Sequence, residues 1–114
     1  GKVAAGLKPI QVLRAAFPAG TVSGAPKISA IEILSRIEKT KRRFYAGAVG
    51  YIQSNGDLDF CIAIRCALKQ AKVWSLQAGG GIVYDSNADR EWEETNEKLR
   101  ALRTIFEENK GETK

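Results

Sequence analysis

Residues 45–68 read YAGAVGYIQSNGDLDFCIAIRCAL, and their pattern decides the fold. Two alternating runs flank Asn55 and Gly56, a pair that tolerates the positive φ of a type I′ turn, so the segment reads as a β-hairpin. In the first run Tyr45, Gly47, Val49 and Tyr51 share one face. In the second, residues 58–68, the even positions Leu58, Phe60, Ile62, Ile64 and Leu68 make an apolar face. The odd positions are Asp59, Cys61, Ala63, Arg65 and Ala67, so Arg65 projects from a face of small residues with room beside it. A turn at Gln70, Ala71 and Lys72 leads to a further strand over 73–78, which completes a three-strand antiparallel meander. Upstream, Ile10, Leu13, Ala16 and Phe17 recur at helical spacing behind Pro9, a residue suited to the first turn of a helix. Pro18 and Gly20 close that helix and residues 20–27 read as a loop. Ile28, Ile31, Leu34 and Ile37 then set a second helix running to about Thr40. A last helix follows the third strand. The fold class is α+β, with helices packed on an antiparallel β-meander.

At 114 residues the chain suffices for one compact domain and is too short for two of ordinary size. Its 44% hydrophobic and 27% charged content is that of a soluble globular protein. No apolar run nears the ~20 residues of a membrane span, and no secretory signal opens the chain. It starts inside what reads as a helix, without methionine, as a fragment would. The net charge of +5 raises the question of a polyanion partner. Part of the excess is local, in Lys39, Lys41, Arg42 and Arg43, where a helix C-terminus favours cations. No aromatic residues are interleaved there as a nucleic-acid stacking platform requires, so a solvated helix end is the better reading. Cys61 and Cys66, five apart in one strand, point to opposite faces and cannot pair. With no histidine in the chain they make no zinc site, and they suit a reducing, cytoplasmic compartment. The lack of histidine also removes the commonest general base.

The chemistry concentrates in residues 77–98, QAGGGIVYDSNADREWEETNEK. Three glycines close the third strand, and after a short polar turn a charged helix opens. Glycines at a strand end can mark only a bend, yet they also let backbone N–H groups approach an anion; the sequence leaves these readings balanced. With Glu91 as origin and ~100° per residue, Glu94 lies near ~300° and Lys98 near ~340° on the helical wheel. Leu99, Ala101, Leu102, Ile105 and Phe106 fall between roughly 280° and 80°. Both carboxylates and the lysine thus share the protein-facing side, where a carboxylate costs desolvation energy unless a cation meets it. The plain reading of Glu91 and Glu94, as acids at a helix N-terminus, does not account for that side of the wheel. Two carboxylates without histidine or thiolate suit Mg²⁺, a hard cation that takes oxygen ligands and keeps several waters. Arg65 alone reads as a salt-bridged sheet residue; beside the glycines it would grip a carboxylate through two parallel hydrogen bonds. Residues 20–27, GTVSGAPK, lack the P-loop spacing and its Gly-Lys-Ser/Thr ending. That argues against a nucleotide site, and Thr21 or Ser23 reads as a helix cap.

Four segments, FPAGTVSGAPKI (17–28), YAGAVGY (45–51), DFCIAIRCAL (59–68) and QAGGGIVYDSNADREWEET (77–95), resemble in this order the C-terminal portion of the chorismate-utilising enzymes. The likeness runs over about residues 7–106. Within the family, TVSGAPK and CIAIR are most similar to the large subunits that form anthranilate. Relatives that form aminodeoxychorismate more often carry an Ile-Thr-Gly version of the first loop. The middle of the three glycines is commonly alanine in the anthranilate-forming branch. The resemblance implies that Glu91 and Glu94 are Mg²⁺ ligands. It implies that Arg65, Tyr45 and the backbone at Gly79 and Gly81 hold the carboxylates of chorismate. Thr21 would line the same pocket, and Lys98 would stand beside the metal. The implied reaction replaces the chorismate hydroxyl with an amino group from ammonia, shifts the allylic double bond, and eliminates pyruvate to leave anthranilate for tryptophan biosynthesis.

Members of that family are several times longer. The resemblance therefore implies that residues 1–114 are a C-terminal piece of a chorismate-binding domain, within a larger α/β sandwich. The other metal-binding carboxylates, a general-acid glutamate and a catalytic histidine would lie upstream. The implied partners are chorismate, a glutamine amidotransferase subunit that delivers ammonia, and the upstream part of the same large subunit. Alone, the chain is expected to lack turnover and to leave residues 109–114 disordered. It is also expected to self-associate, because a meander removed from its sandwich exposes strand edges and an apolar face. Formation of aminodeoxychorismate, isochorismate or salicylate is the alternative within the family. A basic nucleic-acid-binding module is the alternative outside it.

Overall fold

The computed structural model describes residues 1–108 and divides into two compact units, Gly1–Ala63 and a second beginning at Ile64. The expected disorder of residues 109–114 lies outside the described residues.

In the first unit, α1 spans Pro9–Ala16, with Pro9 in its first turn. The Lys8 N–H donates to Gln11 Oε1 at 2.8 Å, which satisfies a backbone group just ahead of the helix. Phe17 donates its N–H to the Leu13 carbonyl at 3.0 Å, and Pro18, which has no N–H, ends the run. Residues 20–27, expected as a loop, hold one helical turn, α2, at Gly20–Ser23. The Ser23 hydroxyl donates to the Ala19 carbonyl at 3.0 Å, so it closes this turn instead of capping the next helix. Gly24 stops the turn at a φ of 100°, a conformation glycine adopts without steric cost. α3, Lys27–Ile37, packs against α2 and ends before the expected Thr40. Glu38 turns out of the helix to an extended ψ of 118°, and Arg42 holds its carboxylate.

Residues 43–47 form a tight turn, because Arg43 and Ala46 take φ values of 52° and 66°. Tyr45 therefore sits in a turn where a strand start was expected, and β1 is Ala48–Ile52. It pairs antiparallel with β2, Leu58–Ile62, placing Ala48 opposite Ile62 and Ile52 opposite Leu58. The hairpin matches the reading, but its turn is not type I′. Gly56 has the positive φ, 93°, and Asn55 does not; the Asn55 side chain accepts the Asp57 N–H at 3.0 Å. Gly50 faces Phe60 so closely that a Cβ would stand 2.0 Å from the Asp59 carbonyl oxygen.

The long strand expected over 58–68 is broken. Residues 63–66 leave the extended path, and Arg65 takes a φ of 52°, far from the β region. In the second unit, β3, Ala67–Gln70, starts after this bend and pairs antiparallel with β4, Val73–Leu76. β4 stops short of the expected Ala78. The three-strand meander is thus two separate two-stranded hairpins, within the same α+β class. Cys61 and Cys66 flank the break, so strand alternation does not relate them; both are free thiols. α4 spans Ala88–Glu108 and returns to the hairpin, where Phe106 meets Trp74 with ring centroids 4.9 Å apart.

Leu58, Phe60, Ile62, Ile64 and Leu68 are half-buried and Asp59, Cys61 and Arg65 are exposed, but Ala63 is buried and Ala67 half-buried, so the odd positions do not form one exposed face. Among the described residues Ala63 is the one fully buried apolar side chain. Ile28, Ile37 and Trp92 remain 76%, 68% and 68% exposed. Units this small bury too little surface to cover both faces of every element. The α4 wheel holds for Leu99, Leu102 and Phe106, which are half-buried, and fails for Ala101 and Ile105, which are exposed.

Candidate functional site

The second unit gathers most of the candidate residues where the glycine run passes α4. Asn87 caps the helix: its Oδ1 accepts the N–H groups of Asp89 and Arg90 at 3.1 and 3.2 Å. With the helix start fixed, Glu91 falls in the first turn and Glu94 and Lys98 on the following turns. Lys98 Nζ pairs with the Glu94 carboxylate and donates to the Gly79 carbonyl at 3.3 Å. It joins α4 to the glycine run by one side chain. Glu91 is half-buried and accepts a hydrogen bond at Oε1 from the Ser86 hydroxyl, 2.8 Å away. Its Oε2 lies against Gly80, where an added Cβ would come within 2.9 Å. Glu94 is exposed, a departure from the buried side expected for it; its cation is Lys98, at the rim.

Lys98 takes the Gly79 carbonyl, and the N–H groups of Gly79, Gly80 and Gly81 make no hydrogen bond among the described residues. These exposed donors are free to meet an anion. Arg65 and the glycine run leave the same end of the β3–β4 hairpin, since Ala67 pairs with Leu76. The Arg65 guanidinium is exposed and forms no ion pair among the described residues, so the salt-bridged reading of this side chain does not hold. A left-handed backbone costs free energy for a side chain such as arginine, and such strain clusters at functional positions.

Thr21 and Tyr45 belong to the first unit. Thr21 is exposed on α2, and half-buried Tyr45 lines an open cleft of ≈ 660 Å³ with Val22, Ser23, Leu34 and Arg42. The residue that orders this region is Arg42, which sequence reasoning left in a solvated helix end. Its guanidinium binds both Glu38 oxygens, donates to the Val22 carbonyl at 2.6 Å, and lies 5.9 Å from the Tyr45 ring centroid. Hydrogen bonding to Glu38 raises the Arg42 pKa further above its usual value, with burial opposing and the charges of Glu38 and Tyr45 assisting. The i, i+4 spacing of Glu38 and Arg42 was the available sequence signal. Ser86 was also missed, because a serine ahead of a helix reads only as a cap.

Glu91 and Glu94 offer oxygen donors one turn apart, the chemistry of a hard divalent cation that uses one or two carboxylates and fills its shell with water and substrate. Among the described residues no group of three or more His, Cys, Asp or Glu gathers. Glu91 and Glu94 alone could therefore supply only part of the donor set of such a cation. No helix among the described residues is long and apolar enough to cross a membrane.

A family profile described as chorismate binding enzyme matches residues 1–104. Anthranilate synthase component 1 of Spirochaeta aurantia is 65% identical over 92 residues, which cover 81% of this chain and 19% of that protein. The Cereibacter sphaeroides anthranilate synthase component 1 is 48% identical over 108 residues, 95% of this chain and 22% of that protein. The crystal structure of anthranilate synthase component I from Streptococcus pneumoniae superposes with a TM-score of 0.80 at 44% identity. That match covers 90% of this chain and 23% of the other. The chain spans about a fifth of the length of the curated relatives it matches.

Proposed function

We propose that this chain, which belongs to the chorismate binding enzyme family, is part of the large subunit of an anthranilate synthase. The whole enzyme converts chorismate and ammonia to anthranilate and pyruvate, and the chain supplies one wall of its site. In this reading the Arg65 guanidinium and the N–H groups of Gly79 and Gly81 hold substrate carboxylates by charge-assisted hydrogen bonds. Thr21 and Tyr45 line the substrate pocket. Glu91 and Glu94 hold Mg²⁺, which when bound would screen and orient a substrate carboxylate. Lys98 fixes Glu94 and the Gly79 carbonyl, so the glycine run and the metal ligands keep one spacing. Ammonia comes from a glutamine amidotransferase subunit, and the remaining catalytic groups come from the rest of the large subunit.

The observation that carries the reading is the joint placement of Glu91, Glu94 and Lys98 on α4 against the glycine run, in a chain that matches the family over residues 1–104. The relatives named above favour anthranilate over the other chorismate products. Arg42, engaged by Glu38, Val22 and Tyr45, is withdrawn from the basic run that a nucleic-acid partner would need. The test is turnover by the isolated chain. With chorismate, ammonia and Mg²⁺, no anthranilate fluorescence is expected, because no histidine and no upstream carboxylates are present to complete the chemistry. Steady formation of anthranilate by the purified chain would show that the wall is a complete active site and overturn this division of labour.

A further inference from the structure

Ser86 has no part in the proposed function, yet its hydroxyl makes the one hydrogen bond that the Glu91 carboxylate accepts among the described residues. Its hydroxyl oxygen accepts the Val83 N–H at 3.0 Å while its proton goes to Glu91 Oε1 at 2.8 Å. The Ser86 N–H in turn donates to the Val83 carbonyl at 3.0 Å, closing a turn over residues 83–86. The hydroxyl rotor is therefore fixed from the backbone side, and its single proton has one direction left. Glu91 is held at Oε1, while Oε2 accepts no hydrogen bond among the described residues and rests beside Gly80. A carboxylate on a long, flexible side chain is thereby confined to one orientation before any cation arrives.

We propose that Ser86 is the positioning residue for Glu91, committing Oε1 to the hydroxyl and presenting Oε2 as the oxygen available to a divalent cation. This inference rests on the reading of Glu91 and Glu94 as metal ligands. Partners that hold a ligand from outside the metal's own shell change affinity by roughly 10–100-fold when removed. Ser86 differs from a helix cap in its target. Asn87 already serves the helix N–H groups, and the Ser86 proton is spent on a side chain.

The experiment uses the 114-residue chain with isotope-labelled glutamate carboxyl groups and backbone amides, and titrates in Mn²⁺ as a paramagnetic probe. Broadening near Glu91, Glu94 and Gly80 reports even millimolar binding, and the Glu91 carboxyl resonance reports its hydrogen bond without metal. Ser86→Ala is expected to move that resonance and to raise the Mn²⁺ concentration for half-broadening roughly tenfold. Ser86→Thr, which keeps the hydroxyl, restores both. Dispersed amide resonances in each variant confirm that the fold is retained. If Ser86→Ala changes neither readout while Glu94→Gln removes the broadening, the metal reading survives and the positioning role is overturned. If Mn²⁺ broadens nothing around Glu91 either in the unaltered chain or in a full-length relative that carries it, the metal reading falls and takes this inference with it.

Discussion

Replacing Arg42 by methionine removes the contacts that tie α2 to the turn carrying Tyr45, the two places where the first unit contributes to the proposed site. The bond to the Val22 carbonyl, at 2.6 Å and part-buried, is a hydrogen bond from a charged donor, worth roughly 1.5–3 kcal/mol. The Glu38 pair keeps 25% and 33% of its side chains exposed, so about 0.5 kcal/mol is appropriate after solvent screening. The contact with the Tyr45 ring adds about 0.5 kcal/mol at such a half-exposed site. Methionine retains much of the apolar stem, so the loss is electrostatic and comes to about 3 kcal/mol. Local opening of α2 and of residues 42–47 should become easier by roughly a hundredfold. Amide hydrogen exchange, read residue by residue, measures this at Gly24 and Tyr45, whose N–H groups donate to Gly20 and Arg42. Glu38→Gln provides the contrast, because it spares the Val22 bond and should change exchange by less than about threefold. Unchanged exchange at Gly24 and Tyr45 in Arg42→Met, or equal effects from both variants, would refute the assignment of Arg42 as the organiser of this region.

Further outcomes follow from individual contacts. Gly50→Ala places a Cβ within 2.0 Å of the Asp59 carbonyl, a backbone atom that cannot rotate away. The substitution should cost about 3 kcal/mol and strip protection from the β1–β2 amides, and a hairpin with unaltered exchange would contradict the close approach. In a chimera that carries this chain within a full-length relative, Glu91→Gln and Glu94→Gln should each lower kcat/KM for anthranilate formation by more than ~100-fold. Retention of activity in either variant counts against its metal role. Exposed Ile28, Ile37 and Trp92 and open hairpin edges should drive the isolated chain to self-associate, read as a sedimenting mass above 12.4 kDa at high concentration. A clean monomer there opposes it.

What was legible in the sequence was whatever depended on periodicity or turn chemistry. The β1–β2 hairpin, the β3–β4 turn at Ala71 and Lys72, and the start of α4 all follow from local residue choice. The break at residues 63–66 was not legible, because Ala63, Ile64, Arg65 and Cys66 continue the alternation while Arg65 adopts a left-handed backbone that nothing in its side chain announces. The late start of β1 has the same cause, since Arg43 and Ala46 turn the chain at positive φ without glycine. In the site, the helical wheel brought Glu91 and Lys98 to one side of α4, which is where both are half-buried. It misplaced Glu94, because a wheel assumes a continuous protein surface opposite the helix, and here the glycine run covers only part of it. Ser86 and Arg42 act through hydrogen bonds to backbone and carboxylate groups, a kind of contact that leaves no periodic trace.

The central claim, that this chain forms the substrate- and metal-holding wall of an anthranilate-forming enzyme, is tested most directly by exchange. The chain is placed in the Cereibacter sphaeroides anthranilate synthase component 1 in place of its matching 108-residue segment. The chimera is then given chorismate, ammonia and Mg²⁺, and its products are separated and identified. The account predicts anthranilate and pyruvate, and loss of both when Arg65 is replaced by alanine. A folded chimera that released aminodeoxychorismate or isochorismate, or that made anthranilate equally well without Arg65, would contradict it.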